Sequence, residues 1–322
     1  EQFWNIDAIS HLKLRGSYGQ VGNDQIGGRR FLYLTTINKT GQSYRFGETP
    51  RFSQGFTEDL IGNPDVTWEV STKTNVGLDL ELFDSKIRLQ ADAFTETRDG
   101  ILMQRRDVPS ITGFFSSTIP FGNIGIVENK GIDGLLEIQN TTPGGFFYTL
   151  RGNFTFARNK IIENDEPKRR YPYLKAEGHP IDQPFGYVAM GFFEDEEDIA
   201  NSPVQTFMSQ VRPGDIKYKD LNEDGVIDTY DRRPIGLPRT PEIMYGFGGT
   251  VGYKGFDVSV HFAGAARTSL FMDFGSIMPF REGLGSWNVM REYYDNRWTP
   301  DNPNPKYPAV IDGNSPNNYR TS

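Results

Sequence analysis

The most regular feature of the chain is a strict alternation of apolar and polar positions. From Asn75 to Leu82 the sequence reads NVGLDLEL, with Val76, Leu78, Leu80 and Leu82 on one side and Asn75, Gly77, Asp79 and Glu81 on the other. A period of two belongs to a β-strand, whose successive side chains point to opposite faces. The short turn Phe83, Asp84, Ser85, Lys86 follows, and then Ile87, Leu89, Ala91 and Ala93 alternate with Arg88, Gln90 and Asp92. The pattern predicts a hairpin with one apolar and one polar face.

The unit recurs twice more. Ile132, Gly134, Leu136 and Ile138 lead into a turn at Pro143, Gly144 and Gly145, and Phe146, Tyr148, Leu150, Gly152, Phe154 and Phe156 follow. Tyr245, Phe247, Gly249, Val251 and Tyr253 lead into Lys254 and Gly255, then Phe256, Val258, Val260 and Phe262. A single strand with Leu12, Leu14, Gly16 and Tyr18 opens the series, giving seven predicted strands.

The connections are unequal. Turns inside hairpins are short, whereas the segments between them run from Val21 to Lys73, Glu96 to Lys130 and Ala157 to Ile243. Such long connections are out of place in a compact soluble sandwich. They are expected of an outer-membrane barrel, where turns on one side are short and loops on the other long. Two further expectations follow from that reading. Charged residues keep almost entirely to one face of each strand, and Tyr18, Phe83, Phe94, Phe146, Phe156, Tyr253 and Phe256 mark strand ends as interfacial girdles. Alternation alone equally supports a soluble sheet with one solvated face.

Composition sharpens the picture. Aromatic residues make up 13% of the 322 residues although only 36% are hydrophobic. Apolar residues on alternate strand positions give that balance more readily than a Leu- and Val-rich core. No apolar run is long enough for a membrane helix, and Glu1 to Asp7 lacks the basic and apolar regions of a signal peptide, so on the barrel reading the true N-terminus lies upstream. Without cysteine there is no disulfide framework or thiolate metal site. A net charge of −8 without long basic runs argues against nucleic acid as a partner.

Several short signatures follow one another: LKLRGSYGQVGN (Leu12 to Asn23), GNPDVTWEVSTKTNVGLDLELF (Gly62 to Phe83), NKGIDGLLEI (Asn129 to Ile138), EGHPIDQPFGY (Glu177 to Tyr187), PGDIKYKDLNEDGVIDTYDRRPIG (Pro213 to Gly236) and RWTPDNPNPKYP (Arg297 to Pro308). In this order they resemble the SusC/RagA family of TonB-dependent outer-membrane transporters of the Bacteroidota type. The resemblance covers nearly the whole chain. It implies an all-β, antiparallel transmembrane barrel of 22 strands, with residues 1–322 one part of that single barrel domain. It also implies a Gram-negative outer-membrane location and import of an oligosaccharide or peptide under a SusD-like surface lipoprotein, driven by TonB. The plug, the TonB-contacting segment, the early strands and the strands after the RWTPDNPN loop are missing from the pattern, so roles belonging to them do not carry over.

Outside the strands the sharpest motif is DLNEDGVIDTYD. With Asp220 as position 1 it offers Asp220, Asn222 and Asp224 at 1, 3 and 5, Gly225 at 6, the Val226 carbonyl at 7, Asp228 at 9 and Asp231 at 12. This is the ligand spacing of a calcium loop, except that position 12 is Asp in place of Glu and no flanking helix pair is evident. The alternative is a loop locked by Asx turns, its carboxylates accepting backbone N–H bonds. Sequence leaves both open.

For substrate contact the pool is aromatic: Tyr171, Tyr173, Phe185, Tyr187, Trp287, Tyr293, Tyr294 and Trp298. Such rings stack on sugars, and they serve peptide or lid contact as well. YGFGGTVGY, with Gly246, Gly248, Gly249 and Gly252, superficially resembles a dinucleotide loop, but its alternation places it on a strand with no helix following. The acidic run Glu194 to Asp198 reads as a solvated loop or helix start. His11, His179 and His261 form no zinc or triad motif, and no catalytic constellation is evident. Two functions from different classes remain: nutrient import through a barrel, and a soluble all-β glycan-binding or cell-surface module with a calcium loop.

Overall fold

The structure, a computed structural model, describes residues 8–24, 30–46, 51–207, 210–271, 279–280, 288–303, 305–310 and 317–318. In chain order the strands are β1 (Ile9–Asn23), β2 (Thr36–Phe46), β3 (Arg51–Leu60), β4 (Glu69–Leu82), β5 (Ile87–Gln104), β6 (Phe121–Thr141) and β7 (Phe147–Glu163). The short strands β8 (Phe185–Gly186), β9 (Ala189–Phe192), β10 (Val204–Gln205), β11 (Ile216–Tyr218), β12 (Val226–Ile227) and β13 (Arg233–Pro234) come next, followed by β14 (Ile243–Tyr253) and β15 (Phe256–Ala266). Two short helices are α1 (Glu196–Ala200) and α2 (Arg291–Asp295).

All seven strands expected from alternation are present, and they form one antiparallel sheet in the order β1-β4-β5-β6-β7-β14-β15. Every neighbouring pair is antiparallel, and no turn between β4 and β5, β6 and β7 or β14 and β15 is more than five residues. The strands are longer than alternation indicated. β5, β6 and β7 continue well past Ala93, Ile132 and Phe156, through segments that mix polar residues and glycines with adjacent apolar pairs such as Leu102–Met103, Ile126–Val127 and Ile161–Ile162, so no sustained two-residue period reveals them. For the same reason the β2–β3 hairpin was not expected.

This lengthening corrects the girdle expectation. Phe83 lies in the β4–β5 turn, Phe146 directly precedes β7, and Tyr253 and Phe256 flank the β14–β15 turn, whereas Tyr18, Phe94 and Phe156 fall inside their strands. Phe94 also belongs to the polar face. It sits opposite Gly131, and a Cβ at Gly131 would lie 2.5 Å from its ring, so the glycine makes room for the aromatic.

The registers align the apolar positions into continuous rows. Leu12, Leu80, Leu89, Leu136, Gly152, Phe247 and Phe262 lie side by side across all seven strands. Two rows on, Gly16, Val76, Ala93, Ile132, Phe156, Ile243 and Ala266 do the same. Nothing among the described residues covers this face: Leu14 is 76% exposed, Phe256 84% and Val258 64%. An apolar surface of this extent is far beyond the scattered patches of a soluble monomer.

The chain divides into two compact units. One holds the seven-stranded sheet. The other comprises residues 169–175, 182–240 and 268–322 and has a small core of its own, in which Tyr187, Phe207, Tyr218 and Ile227 are buried together. Its strands pair as β8–β13 and β9–β11 antiparallel and β10–β12 parallel. The buried Gln205 stands in for a strand partner, donating to the Ile216 carbonyl at 3.1 Å and accepting from the Tyr218 N–H at 3.0 Å. The run Glu194 to Asp198 is a helix start: the Asp195 carboxylate caps α1 by accepting from the Asp198 N–H.

Candidate functional site

The polar face of the sheet is built from the residues that alternate with the apolar rows. Its most ordered row contains His11, Glu81, Arg88, Glu137, Arg151, Gly248 and His261. The four central charges alternate in sign. Arg88 lies 3.9 Å from Glu81 and 3.7 Å from Glu137, and Arg151 Nε bonds Glu137 at 2.5 Å. Where this ladder ends, Gly248 leaves the wall low. Thr149, Arg151, Thr250, Ser259 and His261 line a shallow groove there of about 320 Å³.

Nearer the middle of β1, Arg15 makes a second charged knot. It donates to Asp79 through Nε and Nη2, both at 3.0 Å, and reaches across β4 to Asp92 on β5 at 2.7 Å. Gly77 lies between Arg15 and Asp92 in the register, and a Cβ there would fall 2.4 Å from the Asp92 carboxylate and 2.8 Å from the guanidinium carbon. The glycine is the passage through which the arginine crosses a strand. These pairs were missing from the sequence reading, although the hairpin turn fixes the β4–β5 register and so aligns Glu81 with Arg88. What this face offers chemically is a field of fixed, mutually neutralised charges and hydrogen-bonding groups, suited to passing a polar solute.

In the second unit the DLNEDGVIDTYD loop is a cage of N–H bonds. Asp220 accepts from Glu223 N at 2.7 Å and Gly225 N at 2.8 Å, Asn222 from Asp224 N at 3.2 Å, and Asp224 from Val226 N at 3.0 Å. Asp228 accepts from Tyr230 N, and the buried Asp231 completes a capping box by accepting from Asp228 N at 2.8 Å while also bonding Leu221 N. Both oxygens of Asp220 and of Asp231 are thereby engaged by backbone. Burial pushes the Asp231 carboxyl above its ordinary range, with the neighbouring Asp220 adding to it against the N–H bonds. Among the described residues no three Asp, Glu or His side chains converge on a common centre in a metal-holding arrangement.

The aromatic pool divides by burial. Tyr171 and Tyr173 stack at 5.3 Å beside this loop, Tyr230 meets Tyr171 edge-on at 5.9 Å, and Arg170 lies over both Tyr171 and Tyr230. Phe185 is half-buried on β8. Tyr187, Tyr293 and Trp298 are buried: Tyr187 belongs to the core, Tyr293 stacks on Tyr307 at 4.7 Å, and Trp298 packs over Gly214. Tyr294 is exposed beneath the Arg297 guanidinium. Trp287 lies outside the described residues. The pool therefore does not form one surface; three of its rings are committed to packing.

No helix among the described residues is long and apolar enough to cross a membrane, which leaves crossing by strands untouched. With an open antiparallel sheet, one bare apolar face and one charged face in hand, the comparison with known proteins is decisive. The family described as TonB dependent receptor-like, beta-barrel matches residues 4–313. The chain belongs to that family. Its relatives include TonB-dependent receptor P3 of Formosa agariphila, 27% identical over 94% of this chain and 30% of the relative. TonB-dependent receptor SusC of Bacteroides thetaiotaomicron is 24% identical over 84% of this chain and 26% of its own length. Among solved structures, the RagAB peptide transporter superposes with a TM-score of 0.70 at 20% identity, over 98% of this chain and 33% of that one. The RagAB peptide importer in its open-open state gives 0.71 at 21%, over 98% and 32%. The SusC/RagA resemblance and the all-β barrel class are thus borne out. This TonB-dependent receptor chain spans about a third of the length of the relatives it matches, and the family is one of receptors and not of enzymes.

Proposed function

We propose that this chain is a sector of the wall of an outer-membrane importer, with its apolar face toward lipid and its charged face toward the lumen. The observation that carries the reading is the uncovered apolar face. The alternating apolar stretches of β7, β14 and β15 run about eleven residues each, the length that a tilted strand needs to cross the hydrocarbon layer. The nutrient is a polar solute, an oligosaccharide or a peptide, and a SusD-like surface lipoprotein covers the outer mouth. Energy comes from TonB acting through parts of the protein outside this chain. Similarity to SusC and to the RagAB peptide transporter supports this reading. The decisive experiment is partition of the full-length protein: it enters detergent micelles and keeps its β signal on mild heating, whereas ready solubility in plain buffer contradicts the barrel and favours the soluble module.

Within the second unit, Tyr171 and Tyr294 are proposed as the rings that reach a solute or lid. The Asp220 to Asp231 loop is proposed to hold its shape by its own N–H cage. Calcium at Asp220, Asn222, Asp224, Val226, Asp228 and Asp231 would have to bind the lone pairs that these N–H bonds leave over. Proteolysis of the full-length protein decides: equal cleavage in calcium and in chelator supports the cage, and calcium-dependent protection abolished by Asp224→Ala supports the metal.

A further inference from the structure

The apolar face ends abruptly. Its last apolar row is the one containing Val76, Ile132 and Phe156, and the next row on the same face reads Tyr18, Thr74, Thr95, Lys130 and Arg158. The row after that is Gln20, Thr72, Thr97, Glu128 and Lys160. Two residues of strand, about 7 Å, separate greasy side chains from cations. Sequence alternation had placed charge almost entirely on the other face. Lys130, Arg158 and Lys160 break that rule on adjoining strands, at the end of the sheet from which the long connections leave.

The cluster is partly preorganised. Lys130 pairs with Glu128 at 2.7 Å, and Arg158 Nε lies 3.2 Å from one oxygen of Glu242, whose other oxygen bonds Arg267 Nε at 2.6 Å. The Glu242 side chain is only 4% exposed, so the ion pair sets a buried carboxylate against the exposed arginine. Four cations against two carboxylates leave an excess of two positive charges. His179 lies beside Arg158 and Lys160, and burial and these two cations lower its pKa, so it adds no charge at neutral pH. Lys130, Arg158 and Lys160 are all solvent-exposed.

We propose that Lys130, Arg158 and Lys160 form a docking site for a phosphate carried on the headgroup of an outer-leaflet lipid, with Glu242 holding Arg158 in place. Three arguments select that occupant. The site lies one row above the apolar band, which is headgroup depth if the band spans hydrocarbon. It is on the apolar side of the wall, away from solutes in the lumen. Its excess charge is positive, and an exposed guanidinium flanked by ammonium groups matches a phosphate. The inference rests on the membrane reading above.

The test uses the full-length protein in phosphatidylcholine nanodiscs doped with a diphosphorylated glycolipid, lipid A, and counts retained glycolipid by native mass spectrometry. The Lys130→Gln/Lys160→Gln double variant leaves the Arg158–Glu242 pair intact and is expected to retain about tenfold less glycolipid, each basic group near a charged membrane surface contributing to binding. Lys13→Gln/Lys73→Gln, on the polar face, is expected to retain as much as wild type, and millimolar inorganic phosphate is expected not to compete. Equal retention by wild type and the double variant overturns the proposal, as does equal retention of glycolipid lacking its phosphates. Displacement by inorganic phosphate overturns the lipid assignment in favour of a free-phosphate site. Heat-dependent gel mobility reports barrel integrity separately. Inserted barrels without a retention difference sink the site alone, and failure to insert sinks the membrane reading with it.

Discussion

Gly77 shows how a single residue can decide the chemistry of a wall. A side chain there would occupy the path of Arg15 to Asp92. Gly77→Val is therefore expected to break that bond and leave Asp92 facing β1 without its partner. The loss is expected to be small, because the groups are partly solvated and such pairs are worth little once water screens them. Urea unfolding of the folded protein in detergent checks it, and an unchanged midpoint means that the Arg15–Asp92 bond contributes nothing measurable. Two aspartates predict opposite responses to acid. Asp165 accepts from Arg106 N at 2.7 Å, Asp107 N at 3.3 Å and Arg105 Nε at 3.2 Å. Burial works to raise its pKa, but these bonds bring it below the ordinary carboxylate value. Its tie is at full strength above the unfolded pKa and is lost as pH falls through the folded one. Asp231 is raised instead, so its contribution is full below the unfolded pKa and is lost as pH rises through the folded one. Acidification from neutrality to about pH 3 is expected to increase cleavage by an acid-active protease in residues 105–117 and to leave the Asp220–Asp231 loop protected. The reverse order of cleavage contradicts both assignments.

At the level of strands, the faces carry the prediction. Leu80→Arg and Val258→Arg place a charge on the apolar face, at a cost of about 2–4 kcal/mol in the middle of a bilayer, whereas Asp79→Asn and Ser259→Asn change only the polar face. A membrane-insertion assay is expected to show impaired assembly for the first pair alone, and equal assembly of all four would invert or abolish the assignment. The strand cores were legible in the sequence because each carries four to six apolar or small residues in one phase, six of them from Phe146 to Phe156. Strand extensions and the β2–β3 hairpin were not, since segments such as TINKTGQSYRF have polar residues in both phases. Phe94 was misplaced for a related reason: an aromatic near the end of an apolar run reads as a girdle, while its position in the alternation puts it on the polar face over Gly131. In the second unit the Asx turns could be read from DLNEDGVIDTYD. The burial of Tyr187, Tyr293 and Trp298 could not, because it depends on contacts between residues distant in sequence.

For the whole molecule, the sheet is open among the described residues, with β1 and β15 at its edges. In hydrocarbon, each unpaired N–H or C=O along such an edge costs several kcal/mol, so a membrane wall of this kind is stable only when further strands close it. The 322-residue chain expressed by itself is accordingly expected to aggregate or to require denaturant, and a monomeric, cooperatively melting, water-soluble product contradicts the barrel sector. The most direct test of the central claim exploits the absence of cysteine from this chain. Single cysteines at Tyr148, Leu150, Phe154, Thr149, Arg151 and Thr155 of the full-length protein in nanodiscs, labelled with a fluorophore, report access to a lipid-borne quencher. The account predicts quenching at Tyr148, Leu150 and Phe154 and none at Thr149, Arg151 and Thr155; uniform access to water, or quenching in the opposite phase, would contradict it.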